Sequence, residues 1–182
     1  GAIIQAGAVT FGSGTSGISG PVSPANSLVG SSRDDQVGFA VTALPNGNYV
    51  VSTAYWDNGA VADAGAVTFG SGTAGINGTV SSANSLVGTT TIDRVGFFGG
   101  VTALSNGNYV VASAFWDNGT TVNAGAATLG SGIAGISGPV SSANSLVGST
   151  AGDQVGFIGG VTALSNGDFV VASQDRKSTR LN

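Results

Sequence analysis

The sequence predicts an all-β protein, specifically a partial β-propeller built from four-stranded antiparallel blades. Two observations support this fold class. First, one segment is repeated: GAVTFG begins at Gly7 and Gly65 and returns as GAATLG at Gly125, at spacings of 58 and 60 residues. Periods of this length are typical of propeller blades, solenoid coils and arrays. Second, turn signals divide each copy into four short strands without helical periodicity, which is the strand count of one blade.

The first two strands of a unit are predicted to form a hairpin. In the copy that begins at Val95, the run VGFFGGVTAL gives the first strand and YVVASAFW, from Tyr109 to Trp116, gives the second. Between them lies Ser-Asn-Gly-Asn at 105–108, and Asn-Gly between β-rich runs is the strongest short hairpin signal. The segment Asp117-Asn118-Gly119 then predicts a second turn.

The third and fourth strands follow on either side of a glycine-rich loop. AGAATLG at 124–130 is predicted as the third strand, and PVSSANSLVG at 139–148 as the fourth.

The second strand is expected to be buried on both faces. Alternation places apolar or small residues on each side, with Tyr109, Val111, Ser113 and Phe115 on one face and Val110, Ala112, Ala114 and Trp116 on the other. This pattern indicates a sheet packed between two neighbouring sheets. Blades around a propeller axis and coils of a β-solenoid both fit. The solenoid is therefore kept as the alternative, although the unit shows no shorter internal period.

The repeat predicts two whole blades, at 37–94 and 95–152, with half blades at 1–36 and 153–174. Residues 175–182, DRKSTRLN, break the pattern and hold the single lysine, Lys177, and three of the five basic residues. We interpret them as a tail derived from a sequencing adapter and exclude them from the fold. The chain is expected to be a fragment cut at both ends that cannot close a ring. It should therefore self-associate through open strand edges.

Composition excludes several classes of function. Without the tail, two arginines stand against eight aspartates, a net charge of −6, so nucleic acid is not expected as a partner. There is no cysteine for a disulfide scaffold, and no apolar run approaches the roughly 18 residues of a membrane span. The abundance of Gly, Ser, Thr and Asn predicts an extracellular or cell-surface bacterial protein.

The order VGF, VTAL, NGNYVV, WDNG and AGAVTFG resembles the FG-GAP repeat of integrin-alpha-type propellers. It is still more similar to an uncharacterised repeat of large secreted bacterial proteins, some of them haemagglutinin-like. The resemblance covers residues 1–174 and implies a propeller repeat without any known activity. The FG-GAP family has an Asp-rich calcium loop, but of the corresponding turns only the last contains an acidic residue, Asp168. Calcium binding is therefore not carried over to these turns.

A weaker set of candidate calcium ligands lies elsewhere in the unit. Asp35, Asp93 and Asp153 each stand two residues before a Val-Gly pair. Each position offers one carboxylate, whereas calcium needs several oxygen ligands. The favoured interpretation is an Asx turn that caps a strand, as it is for the Asp-Asn-Gly turns at Asp57 and Asp117. Calcium stays the one possible cofactor.

Catalysis is not expected, and no catalytic residue is proposed. The sequence has no histidine, cysteine or glutamate, so its many serines have no evident base to activate them. The adjacent Asp34 and Asp35 occur in one unit only, and neighbouring strand residues point to opposite faces. A carboxylate pair of the glycosidase kind is therefore not predicted.

Two aromatic pairs are the candidate binding residues, namely Tyr55-Trp56 and Phe115-Trp116. They could stack on sugars or anchor a partner protein, and the competing interpretation is that they close the hydrophobic core. We therefore predict a non-enzymatic repeat module of a secreted or cell-surface bacterial protein that acts in adhesion or protein interaction. The alternatives are a glycan- or calcium-binding propeller module and a structural stalk of a long exoprotein.

Overall fold

The structure, a computed structural model, describes residues 3–97, 100–157 and 159–174, all of them in strands, turns or loops. The predicted tail at 175–182 lies outside this part of the chain. Helices are absent from the described residues, so none is long and apolar enough to cross a membrane. The fourteen strands are β1 (Ala8–Thr10), β2 (Ser27–Val29), β3 (Ala40–Ala43), β4 (Tyr49–Thr53), β5 (Ala66–Gly70), β6 (Gly78–Thr79), β7 (Ser85–Val87), β8 (Val101–Ala103), β9 (Tyr109–Ser113), β10 (Ala126–Gly130), β11 (Gly138–Pro139), β12 (Ser145–Val147), β13 (Val161–Ala163) and β14 (Phe169–Val171).

Each full unit forms a four-stranded antiparallel sheet. In the first, β3, β4, β5 and β7 lie side by side in chain order, and in the second β8, β9, β10 and β12 do the same. The chain opens with the pair β1–β2 and the described part closes with the pair β13–β14. The all-β class is confirmed, with several small antiparallel sheets. Propeller or solenoid arrangement of the units stays a prediction.

The predicted hairpin is confirmed. β8 and β9 pair antiparallel through a five-residue connection at 104–108, closed by the N–H of Leu104 donating to the carbonyl of Asn108 at 2.8 Å. The side-chain oxygen of Asn106 accepts the N–H of Asn108 at 3.0 Å, and Gly107 has a φ of +89°. Asn-Gly thus supplies the Asx turn and the left-handed backbone that the tight reversal needs.

The second strand is shorter than predicted. It ends at Ser113, because the N–H of Trp116 donates to the carbonyl of Ser113 at 3.1 Å and turns the chain away from the sheet. Its burial on both faces is confirmed, since all five residues of β9 are buried.

The predicted fourth strand divides into two pieces that belong to different sheets. β12 pairs with β10 of its own unit, whereas β11 pairs in parallel with β7 of the preceding unit. A turn separates them, in which the side-chain oxygen of Asn144 accepts the N–H of Ser141 at 2.9 Å. β6 pairs with β2 in the same way. Each full unit therefore contributes a two-residue strand to the sheet of the preceding unit.

The hydrophobic core lies between successive sheets. On β9, Tyr109 and Val111 belong to the cluster shared with the preceding unit, and Val110 belongs to the cluster shared with β13 and β14. A third cluster lies between β2 and the first full sheet. Period-2 alternation thus presents one apolar face of each strand to each neighbour.

Candidate functional site

A continuous row of aromatic rings crosses the units on one side of the molecule. We call Phe39, Tyr55, Phe97, Phe115 and Phe157 the aromatic row. Ring centroids of successive contacts lie 5.5 Å apart for Phe39–Tyr55, 5.7 Å for Phe39–Phe97 and for Tyr55–Phe97, 6.0 Å for Phe97–Phe115 and 6.4 Å for Phe115–Phe157. These distances fall in the range of favourable aromatic pairs.

A repeated turn places one phenylalanine of the row in each unit. The N–H of Phe97 donates to the carbonyl of Arg94 at 3.0 Å, and Phe39 and Phe157 make the same contact to Gln36 and Gln154. The residue that starts each turn has a left-handed backbone, with φ between 45° and 51°. The Val-Gly-Phe segment therefore repeats one local geometry and projects its ring at the same place each time.

The structure separates the two members of each predicted aromatic pair. Trp56 and Trp116 are 4% exposed and belong to the core clusters between sheets, so the core interpretation holds for them. Tyr55 and Phe115 are half-buried and lie in the aromatic row. The turns after β4 and β9 separate the two rings of each pair, because each turn directs the tryptophan into the core and leaves the preceding aromatic residue at the surface.

Arg94 covers one stretch of the aromatic row. Its guanidinium carbon lies 5.3 Å from the ring centre of Tyr55 and 5.4 Å from that of Phe97, within the range of cation–π contacts. The same guanidinium lies 3.1 Å from a carboxylate oxygen of Asp63, and both side chains are about a third exposed. One ion pair of this half-exposed kind contributes little to stability. The Arg94–Asp63 pair does place two charged groups at the edge of the apolar aromatic row.

A small cavity opens beside the row between the second full sheet and the last pair of strands. Its volume is about 40 Å³, and its lining includes Phe97, Phe115, Phe157, Ala112 and Val161. A water molecule needs roughly 10–15 Å³ by the same measure, and ligand pockets are typically in the range of about 300–1,000 Å³. The cavity is therefore suited to the tip of one small apolar side chain and not to a sugar or a nucleotide.

The candidate calcium ligands are buried and already occupied by backbone amides. Asp93 is fully buried, and one of its oxygens accepts the N–H groups of Thr89 and Thr90, each at 2.8 Å. Its other oxygen accepts the N–H of Asp117 in the next unit at 3.1 Å, and the hydroxyl of Thr90 also donates to it. Asp93 thus connects the loop that follows β7 to the turn that follows β9 in the next unit.

Asp35 repeats this arrangement, and Asp153 makes the same contacts with the loop before it. Asp35 accepts the N–H groups of Ser31 and Ser32, each at 2.7 Å, and that of Asp57 at 3.1 Å. Burial raises the pKa of Asp35 above its ordinary value, although the three amides act in the opposite direction and the Asp57 carboxylate adds to the rise. Asp153 accepts the N–H groups of Ser149 and Thr150 at 3.0 and 2.9 Å. Each carboxylate thus accepts the N–H groups of the residues three and four positions before it, which differs from the predicted Asx turn, in which the side chain accepts the N–H two residues after it.

Within the described ranges, no group of three or more acidic side chains is arranged to hold a metal ion. The two adjacent aspartates also have separate environments. Asp34 lies at the surface 3.3 Å from Arg33, whereas Asp35 is buried in its amide contacts. The buried Ser27 and Ser85 each contact a threonine across the strand pair, as in the 2.7 Å contact between the hydroxyls of Thr68 and Ser85, and each donates to the side chain of the asparagine before it.

The sequence reasoning missed four members of this surface, namely Phe39, Phe97, Phe157 and Arg94. The three phenylalanines carry a sequence signal, because each ends a repeated Val-Gly-Phe segment. Arg94 carries none, since the other units have glutamine at the same position.

Comparison with known families gives one finding. A family model described as a repeat of unknown function (DUF5650) matches residues 1–39, 43–97 and 103–157. No curated protein and no solved structure matches the chain significantly. The match supports a repeat family with three copies, and it does not support an FG-GAP or integrin-type assignment.

Proposed function

This chain belongs to the DUF5650 family of repeats of unknown function. We propose that it is a non-enzymatic repeat module that binds another protein through its aromatic row. We further propose that it acts in adhesion or protein contact on a secreted or cell-surface bacterial protein. The observation that carries the proposal is the row itself, which runs through consecutive units.

Exposure and composition support a protein partner. Phe39 is 41% exposed, and the other four rings are half-buried, so an apolar strip reaches solvent along the row. Interface centres are enriched in aromatic residues and arginine and are bordered by polar groups. The row, with Arg94 and Asp63 at its side, has this composition.

The same geometry favours a protein over a glycan. Most rings in the row meet at angles of 54° to 89°, so their edges and faces cover one another instead of forming a flat platform for sugars. Arg94, the polar side chain that lies over the row, is already engaged with two rings and with Asp63. Sugar hydroxyls would therefore find few hydrogen-bond partners here.

The contacts of the buried Ser27 and Ser85 hydroxyls with threonine and asparagine side chains support a non-enzymatic role. Calcium is not proposed as a cofactor, because each candidate carboxylate already accepts two or three backbone N–H groups. A metal would have to displace those contacts.

Contacts between units support the propeller arrangement over a solenoid stalk. β3 contacts β8, and β8 contacts β13, so the first strands of consecutive units lie next to one another. The hairpin tips also meet: the side-chain amide of Asn106 donates to the carbonyl of Gly167 at 3.1 Å. Convergence of first strands and their hairpins is expected around a common axis.

The proposal is tested with Phe39→Ser, which removes the most exposed ring of the row. The chain is applied to a panel of immobilised extracellular-matrix proteins and to a glycan array. We expect at least one protein to bind, and Phe39→Ser to weaken that binding by tenfold or more, as loss of an aromatic interface residue does.

Val122→Ser is the matched control, because Val122 is 54% exposed and lies outside the aromatic row. It should bind like the unmodified chain, and circular dichroism should show both variants folded. Protein binding that survives Phe39→Ser unchanged would contradict the proposal. Binding confined to the glycan array would favour the glycan-binding alternative.

A further inference from the structure

Arg94 shows that the aromatic row accommodates a guanidinium group. The guanidinium carbon lies over the rings of Tyr55 and Phe97, whose planes meet at 77° with centroids 5.7 Å apart. The faces of such rings are negative and attract a cation. A terminal nitrogen of the same group lies 3.1 Å from a carboxylate oxygen of Asp63. Two ring faces and one oxygen acceptor therefore hold this side chain.

The next unit repeats the backbone of this arrangement. Asn123 and Gln154 occupy the positions of Asp63 and Arg94 one period later, with φ values of 49° and 46° against 51° and 45°. In both units the second residue donates its N–H to the carbonyl of the first at 3.1 Å. The same hydrogen bond therefore holds the two positions together in both units.

The rings repeat as well. Phe115 and Phe157 correspond to Tyr55 and Phe97, and their planes meet at 89° with centroids 6.4 Å apart. The N–H of Phe157 donates to the carbonyl of Gln154 at 2.9 Å, in the turn that recurs in each unit. This second pair of rings therefore presents two faces at nearly a right angle beside position 154.

The sequence differs between the two places in charge. Asn123 and Gln154 are uncharged, although the side-chain oxygen of an asparagine still accepts hydrogen bonds. The other arginine of the described residues, Arg33, lies 3.3 Å from a carboxylate oxygen of its neighbour Asp34. Over residues 3–174 two arginines stand against eight aspartates, and a net negative charge raises the local concentration of cations. A cation for the second pair of rings must therefore come from another molecule.

The exposure of the rings is a property of the repeated unit. Tyr55 and Phe97 are half-buried although described strands lie on both sides of them along the chain, and Arg94 above them is 28% exposed. Phe115 and Phe157 are half-buried in the same way. A side chain from outside can therefore reach the ring faces at this place in the unit.

We propose that Phe115 and Phe157 form a binding site for an arginine side chain of a partner protein, with Asn123 as the hydrogen-bond acceptor. The guanidinium lies over the two rings as Arg94 does in the preceding unit. Arginine fits better than lysine, because its planar group stacks on aromatic faces and is more weakly hydrated. The inference rests on the proposed function in one respect, that the aromatic row binds a protein. It adds that the partner is a basic segment with an exposed arginine.

The test uses the full 182-residue chain and the blocked tripeptide acetyl-Gly-Arg-Gly-amide as the probe. The control probe carries citrulline in place of arginine, which keeps the shape and removes the charge. Nitrogen–proton correlation NMR follows the backbone amides during each titration. We expect the arginine probe to shift the signals of Gln154 and Phe157 saturably. The citrulline probe should bind about tenfold more weakly, because the attraction to the rings needs the charge.

Exchanges of residues between units provide matched variants. Gln154→Arg with Asn123→Asp copies the preceding unit and gives the site its own guanidinium, so probe binding should be lost. Arg94→Gln with Asp63→Asn copies the later unit and uncovers the earlier rings, so the signal of Phe97 should shift as well and the chain should bind two probes. Both exchanges use residues that the same backbone already carries in this chain, and circular dichroism checks that the variants are folded.

Four results would each overturn the inference. These are no saturable shift at Phe157, equal binding of the citrulline probe, unchanged binding after Gln154→Arg with Asn123→Asp, and no second site after Arg94→Gln with Asp63→Asn. If a protein binds in a manner that depends on Phe39 while the arginine probe does not, this inference fails and the proposed function stands. Probe binding without any protein partner would contradict the proposed function and leave the arginine site in place.

Discussion

At the residue scale, the buried aspartates Asp35 and Asp93 each join two neighbouring units. Asp93 accepts N–H groups from two residues before it and from Asp117 across the junction. A buried carboxylate is costly unless it is hydrogen-bonded, and here each oxygen has donors. These candidate metal ligands therefore act as hydrogen-bond acceptors for backbone N–H groups.

We predict that Asp93→Ala lowers the free energy of unfolding by about 3 kcal/mol. The reason is that it leaves buried amides unpaired and removes hydrogen bonds to a charged group, each worth about 1.5–3 kcal/mol. Urea unfolding followed by tryptophan fluorescence measures the change.

Asp117→Ala is the control for loss of an aspartate. Asp117 is only half-buried, and its carboxylate accepts a hydrogen bond from the N–H of Asn123 at 2.7 Å. Its loss should cost about 1 kcal/mol. Equal effects of the two substitutions would contradict the proposed role of Asp93. So would a melting temperature that rises saturably with added calcium, since a ligand of the folded state stabilises it.

At the element scale, the hairpins are shaped by their own sequence and then held by the next unit. The side-chain amide of Asn46 donates to the carbonyl of Gly132 at 2.7 Å, although the two residues are 86 positions apart. The tip of one hairpin therefore also serves as packing surface for the hairpin and loop of the following unit.

Alanine substitutions at Gly47 and Gly107 separate two contributions to hairpin stability, namely the backbone strain within the hairpin and the packing against the neighbouring unit. Their φ values are +87° and +89°, so alanine is strained by a similar amount at both, about 1–2 kcal/mol. A Cβ at Gly47 meets open space, whereas one at Gly107 lies 3.1–3.3 Å from the side chain of Asn46.

We predict that Gly107→Ala is more destabilising than Gly47→Ala by about 1 kcal/mol, as expected for mild overpacking. Chemical denaturation of the two variants measures the difference. Removing the contact with Asn46→Ala should bring the two costs together. Equal costs in the presence of Asn46 would show that the hairpin tips do not pack against each other.

At the scale of the whole molecule, the cores lie between sheets and not within one. Each full unit contributes to two clusters and packs on both neighbours, as in arrays whose stability is a sum of unit and interface terms. A change of unit number should then preserve the fold, provided that the register of the junctions is kept.

We predict that deletion of residues 95–154, one full period, leaves a cooperatively folded chain of lower stability. The deletion joins Arg94 to Val155, which follows Gln154 in the equivalent junction, so the local contacts are restored. In urea both the midpoint and the slope of the transition should fall, because less surface is buried.

Deletion of residues 95–124 is the control, since it removes half a unit and leaves β10 and β12 without β8 and β9. That chain should not unfold cooperatively. If the full-period deletion were unfolded as well, units would not be interchangeable and the array description would be wrong.

Much of the fold follows from local sequence. The Asn-Gly turns predicted the hairpins, and the repeat predicted the unit. The two apolar faces of the second strand predicted that its sheet packs against a neighbouring sheet on each side. The candidate site was less predictable. Tyr55 and Trp56 are adjacent and both aromatic, and only the turn at the end of β4 decides that Trp56 enters the core while Tyr55 joins the surface row.

The sequence by itself thus determined the all-β class, the hairpin that opens each unit and the burial of the unit's second strand. These depend on turn residues and period-2 alternation, which act over a few positions. The tertiary structure alone decided three features: the transfer of β6 and β11 to the preceding sheet, the contacts of Asp93 across a junction, and the continuity of the aromatic row. Each depends on residues that are distant in sequence and become neighbours only when one sheet packs on the next.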